Sequence, residues 1–144
     1  MASSVDNGIT LIWSEAFESG DPEIDRQHQC LLADSARLRA LVETGAPWSD
    51  VQAALSVLIA DCSAHFRFEE AMLRNTHFPR AEAHAGQHQA IEAMLQQLAE
   101  MVAEPGGSEP ERCSLVATME RKIVEIIVRH DLDFKSHLLN LIGR

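Results

Sequence analysis

The chain is 144 residues long, 46% hydrophobic, with a formal net charge of −10 at pH 7. That length suits one domain with a real core, and the apolar share excludes a wholly disordered chain. With 22 acidic against 12 basic residues, no basic stripe is available for nucleic acid or an anionic membrane surface. No apolar run approaches a membrane span, and the N-terminus lacks a basic-then-apolar signal pattern. The three cysteines, Cys30, Cys62 and Cys113, are odd in number and far apart, which argues against a disulfide framework and for a reducing cytoplasm. Tyrosine is absent and aromatics are 5%, which fits a helical core of Leu, Ala and Ile better than a sheet.

Residues 1–21 read as a polar, irregular arm with an apolar centre at Ile9, Leu11, Ile12, Trp13 and Phe17. Gly20-Asp21-Pro22 ends the arm, with Asp21 as N-cap and Pro22 at the first helical position. A first helix carries Ile24, His28, Leu31, Leu38 and Val42 on one side and ends near Gly45. Ala46-Pro47-Trp48-Ser49 is a turn, and Ser49 is expected to cap a second helix bearing Leu58, Cys62, His65, Glu69 and Leu73. Phe78-Pro79 interrupts. A third helix from about Arg80 carries His84, His88, Ile91, Leu95 and Val102. Residues 104–110 form the clearest loop, and a fourth helix runs from about Pro110 to Leu141. No segment alternates like a strand and no internal repeat is visible. The expectation is one all-α domain over residues 1–144, an up-down-up-down four-helix bundle spanning about 22–141 behind an N-terminal extended arm.

His65 with Glu69, and His84 with His88, stand four residues apart, so each pair shares one stripe of its helix, one turn apart. His28 joins them at the start of the first helix. Imidazole suits iron, zinc and copper, and a carboxylate can bridge two ions through its two oxygens. Asp131 and Asp133 on the fourth helix lie on different faces, so one of them at most is a full inward ligand. Four histidines and two carboxylates exceed the needs of one tetrahedral zinc. Two ions of higher coordination number, held by facing helices, fit the count.

These motifs resemble the bacterial hemerythrin domain, a non-heme di-iron bundle, nearly end to end from Trp13 to Leu138. The resemblance is carried by Trp13-Ser14, Ile24-Asp25-Arg26-Gln27-His28, His65-Phe66-Arg67-Phe68-Glu69-Glu70 with Met72-Leu73, and Phe78-Pro79 before His84-Ala85-Gly86-Gln87-His88. It implies that His28 and His65 bind one iron, that His84 and His88 bind the other, and that Glu69 bridges them. The family's last motif is His-Ile-x-x-x-Asp followed by an aromatic residue, and Asp131 with Phe134 and His137-Leu138 matches its end. Asp131 is then the second bridge. The histidine that belongs five residues earlier is replaced by Ile126, and the usual tryptophan four residues before it by Lys122. Aligning His130 with the lost ligand instead would put Lys135 at the bridge, where an ammonium cannot serve. The resemblance implies two carboxylate-bridged iron ions and binding of O2 or a related small ligand, for storage, delivery or sensing with a fused or partner signalling domain. The replaced ligand raises an alternative, an oxidase or peroxidase-like enzyme using an extra open position.

Other residues read more plainly. Leu31, Ile123 and Ile126 stand near the ligand positions and are core residues or the lining of a ligand pocket. Cys62 is expected as a small buried hydrophobe. His77 is expected at the surface by a helix end, and His137 as a packing residue. His130 is read as a solvent-facing or supporting residue, and Glu70 as pointing away from the site to pair at the surface.

Overall fold

The computed structural model describes residues 18–103 and 108–142; at 128, 130–133 and 142 the backbone alone is described. The expected arm therefore lies outside the described residues, apart from its last four. So do the side chains of His130 and Asp131.

The described residues form four helices and no strand: α1 (Pro22–Glu43), α2 (Trp48–Asn75), α3 (Ala81–Ala103) and α4 (Glu109–Ile142). Helix α1 starts as its sequence dictates. The Asp21 carboxylate accepts the amides of Glu23 and Ile24 at 2.9 and 3.0 Å, and Pro22 opens the first turn. Before it, Gly20 has φ +101, and a Cβ there would lie 3.2 Å from Leu138 Cβ. Glycine thus lets the chain turn into α1 while lying against α4.

Helix α2 departs from expectation at its start. Its N-cap is Pro47, with no side-chain cap, and Ser49 already lies inside the first turn. Its end is a Schellman motif: the Phe78 amide donates to Leu73 O at 2.9 Å and the His77 amide to Arg74 O at 3.1 Å. His77 takes the left-handed position, φ 60, usually left to glycine, and is exposed as expected. Helix α4 begins one residue before Pro110 with a capping box that the sequence reading missed. The Ser108 amide donates to Glu111 Oε1 at 3.0 Å, and the Glu111 amide returns to Ser108 Oγ at 3.2 Å.

Helix α1 packs on α2 and α4, and α3 packs on α2 and α4. Two apolar clusters fill the interior. The larger contains Leu31, Leu38, Leu58, Phe66, Leu95, Met119, Ile123 and Ile126. The smaller contains Ile24, Leu73, Phe78, Ala81, Phe134 and Leu138. Every helix contributes to both. Between the two contributions, α1 carries His28, α2 carries Glu69, and α3 carries His84 and His88. A polar layer is therefore sandwiched between dry layers, where each charge is strengthened and each unmet polar atom is costly. Among the described residues no helix is long and apolar enough to cross a membrane.

Candidate metal centre

His28, His65, Glu69, His84 and His88 meet in that layer, each at most 3% exposed. They form two trios that share Glu69, namely His28, His65 and Glu69, and Glu69, His84 and His88; within each trio the ligand atoms lie within 4.8 Å of one another. Glu69 Oε1 faces His84 Nε2 at 2.6 Å and His88 Nε2 at 3.0 Å. Its other oxygen, Oε2, faces His65 Nε2 at 3.2 Å and His28 Nε2 at 3.8 Å, and the two rings bring their Nε2 atoms to 3.1 Å. Burial alone would raise the Glu69 carboxyl, but hydrogen bonds donated by imidazole N–H groups outweigh it and hold it well below the usual carboxylate range. An ionised carboxylate thus stands at the centre of the bundle.

The outer hydrogen bonds decide which way the rings point. Gln27 Nε2 donates to Glu23 Oε2 at 3.0 Å, so its carbonyl oxygen is the atom that accepts from His65 Nδ1 at 2.8 Å. His65 therefore carries its proton on Nδ1 and its lone pair on Nε2. Burial lowers its proton affinity, against the pull of Glu69, so the ring is neutral near pH 7. That lone pair faces Glu69 Oε2, which is buried and has no hydrogen-bond partner among the described residues. Two acceptors facing each other at 3.2 Å in a dry core repel. A cation between them removes the conflict: ligand atoms at about 2.1 Å from one ion, at right angles, lie about 3 Å apart. His88 is oriented alike. Its Nδ1 donates to Glu70 Oε2 at 2.8 Å, and its ring stacks on Phe66 at 4.1 Å between centroids. Carboxylates and imidazoles together form a donor set for a divalent transition ion.

Glu70 corrects the sequence reading. It is 7% exposed and turned inward onto His88, not outward to the surface. Gln27 was also missed as a supporting residue. Each sits beside a candidate ligand in sequence, and only the neighbouring helix brings it into reach of a ring. Cys62 is 1% exposed, and burial, with Asp34, Asp61 and Glu92 nearby, pushes its thiol up to about 12, so it stays a neutral packing group. His137 packs on Phe78 at 5.0 Å and bonds Thr76 Oγ1 at 3.0 Å, as a helix-end residue.

Of the three residues expected near a ligand pocket, Leu31 lies in the large apolar cluster and also lines a cavity of about 190 Å³ beside Gln27, Cys30, Asp61 and His65. Ile123 is 1% exposed in the same cluster. Ile126, 7% exposed, packs on that cluster and walls a groove of about 520 Å³ between α3 and α4, with Gln87, Ile91, Met94, Lys122 and Arg129.

A helical domain with a buried carboxylate between four imidazoles defines a cation-binding helical protein. The model of the hemerythrin HHE cation-binding domain matches residues 19–141, and the chain belongs to that family. No curated protein sequence gave a significant match.

Proposed function

We propose that this protein is a non-heme di-iron domain that binds O2 or a related small ligand, for storage, delivery or sensing. The observation that carries the reading is the His65 Nε2 lone pair set against the orphaned Glu69 Oε2 at 3.2 Å. Glu69 offers one oxygen to each trio, which is the arrangement a bridging carboxylate needs. His28 and His65 would hold one ion, His84 and His88 the other, with Asp131 as the second bridge. Two irons would supply reversible electron donation to a small bound ligand. The chain's own part is to hold four imidazole rings and one carboxylate in a dry layer that keeps bulk water out.

Other features support the finer picture. Helices α1 and α3 pass from the smaller apolar cluster to the larger, and α2 and α4 pass the other way, which favours an up-down-up-down order. Cys30, Cys62 and Cys113 are free thiols, in keeping with a reducing cytoplasm.

The test is metal analysis of the reconstituted chain, with optical spectra of the reduced protein before and after air. About two irons per chain and a new absorption band on exposure to O2 are expected. One tightly held zinc, or no spectral response to any small ligand, would overturn the reading.

A further inference from the structure

We propose that Glu70 is a positioning residue that makes the two halves of the centre unequal, so that the His84/His88 half holds its ion more tightly than the His28/His65 half. The inference rests on the di-metal reading above and concerns what stands behind the rings. Behind His88 stands an anion: Nδ1 donates to the Glu70 carboxylate at 2.8 Å. Behind His65 stands a neutral amide: Nδ1 donates to Gln27 Oε1 at 2.8 Å. The distances are equal and the charges are not. A carboxylate behind an imidazole raises the ring's donor strength and fixes its orientation; an amide does only the second.

Glu70 is itself built in. Arg67 Nη2 lies 3.3 Å from Glu70 Oε2 and also pairs with Glu92, which accepts from Ser63 Oγ at 2.8 Å. Ser63, Arg67 and Glu70 follow one stripe of α2, while His88 and Glu92 lie one turn apart on α3. The ladder joins the two helices from the half-exposed Arg67 inward to the His88 ring. It fixes the Glu70 carboxylate in one place, and the Phe66 ring, tilted only 12° from His88, fixes the imidazole plane. The partner behind His65 is of another kind. Gln27 is oriented by Glu23, whose side chain is 43% exposed and shared with Arg26. An exposed anion two bonds removed adds little to the ring it supports.

The test uses the metal-free full chain titrated with Co(II) as probe ion, read by visible absorption and by competition with a chelator. The wild type should fill in two steps of unequal affinity. Glu70→Gln keeps the size of the side chain and an oxygen to accept the His88 proton. It should weaken the tighter step about 10- to 100-fold and shift the spectrum of that step, leaving the other nearly unchanged. The swap Glu23→Gln with Gln27→Glu places a carboxylate behind His65, and should tighten the weaker step and narrow the gap. A role in folding alone would weaken both steps together and would not be mimicked by the swap. An unchanged tight step in Glu70→Gln, or an equal loss at both steps, overturns the proposal. Uptake of a single equivalent by the wild type overturns the di-metal reading instead; the response of that one step to Glu70→Gln still decides the role of Glu70.

Discussion

On one side of Glu69, His28 and His65 come from two helices, 37 residues apart; on the other, His84 and His88 come from adjacent turns of α3. The second pair is set by helical geometry alone and exists wherever α3 is helical. The first pair exists only once α1 docks on α2. The surroundings differ as well. The α1–α2 side has a small cavity of about 190 Å³ beside His65, while Ile126 walls a groove of about 520 Å³ between α3 and α4. One half of the centre is thus local and anion-backed, and the other is tertiary and amide-backed. A shared carboxylate makes them one centre, and the comparison can be broken at that carboxylate or on either side of it.

Glu69→Ala should have the largest effect, because it removes the carboxylate that both trios share. Metal retained after gel filtration should fall by more than the roughly 100-fold that marks the loss of an outer partner. Loss of only one equivalent would show that Glu69 serves one side alone. Metal removal comes next. The wild-type holo form should outlast the apo form by about 4 kcal/mol when free metal is a thousand times its Kd, measured by denaturant unfolding. In hydrogen exchange, the α1–α2 seam around His28 and His65 should lose more protection than α3, since it alone depends on docking. Equal loss on both sides would erase the distinction.

Ile126→His sharpens the contrast from the α4 side. An added imidazole should tighten iron retention about tenfold, near 1.4 kcal/mol, and reduce binding of added azide. Without metal the same change should destabilise by about 1–2 kcal/mol, because it buries a polar ring in an apolar wall. Opposite signs in the apo and holo forms are the signature to look for. His130→Ala is the control: if it strips iron while Ile126→His does nothing, His130 is the ligand and the last motif must be read in the other register.

The smallest effects are those of pH on the metal-free protein. His65 titrates at about 6.5 in the unfolded chain and lower in the fold, because burial disfavours its charge. The unfolded state therefore takes the proton first, and stability should fall as pH drops below about 6.5 and through the depressed folded value. Glu69, held low in the fold, adds a further loss as pH falls below about 4.3 and through its own depressed value. Asp34, at the α1–α2 seam, works in the other direction. Burial and the neighbouring Asp61 push it up to about 7. Its contribution is complete below about 3.9, where both states are protonated, and is lost as pH rises through about 7. Asp34→Asn should flatten only that decline, between about pH 4 and about pH 7, in thermal melts. A variant whose profile between about pH 4 and about pH 7 stayed unchanged would place the coupling elsewhere.

The clustering of the candidate residues was legible because helical spacing is a local property. Four-residue steps place His65 beside Glu69 and His84 beside His88 whatever the rest of the chain does, and the apolar stripes around them mark the buried face. The first-helix cap was legible for the same reason: Asp21 and Pro22 act within one turn. Glu70 and Gln27 were not legible. Each is rotated about 100° from a candidate ligand on its own helix, where periodicity predicts a flank, and a flank can face either solvent or a neighbour. The choice is made by another element. Helix α3 brings His88 Nδ1 to Glu70, and α2 brings His65 Nδ1 to Gln27. The start of α2 shows the same limit, since Ser49 has the chemistry of a cap and the turn closes two residues earlier at Pro47. Local periodicity therefore determines which side chains can reach the centre. Packing between helices decides which nitrogen of each ring faces inward and what charge stands behind it, because those contacts join residues that no spacing along the chain relates.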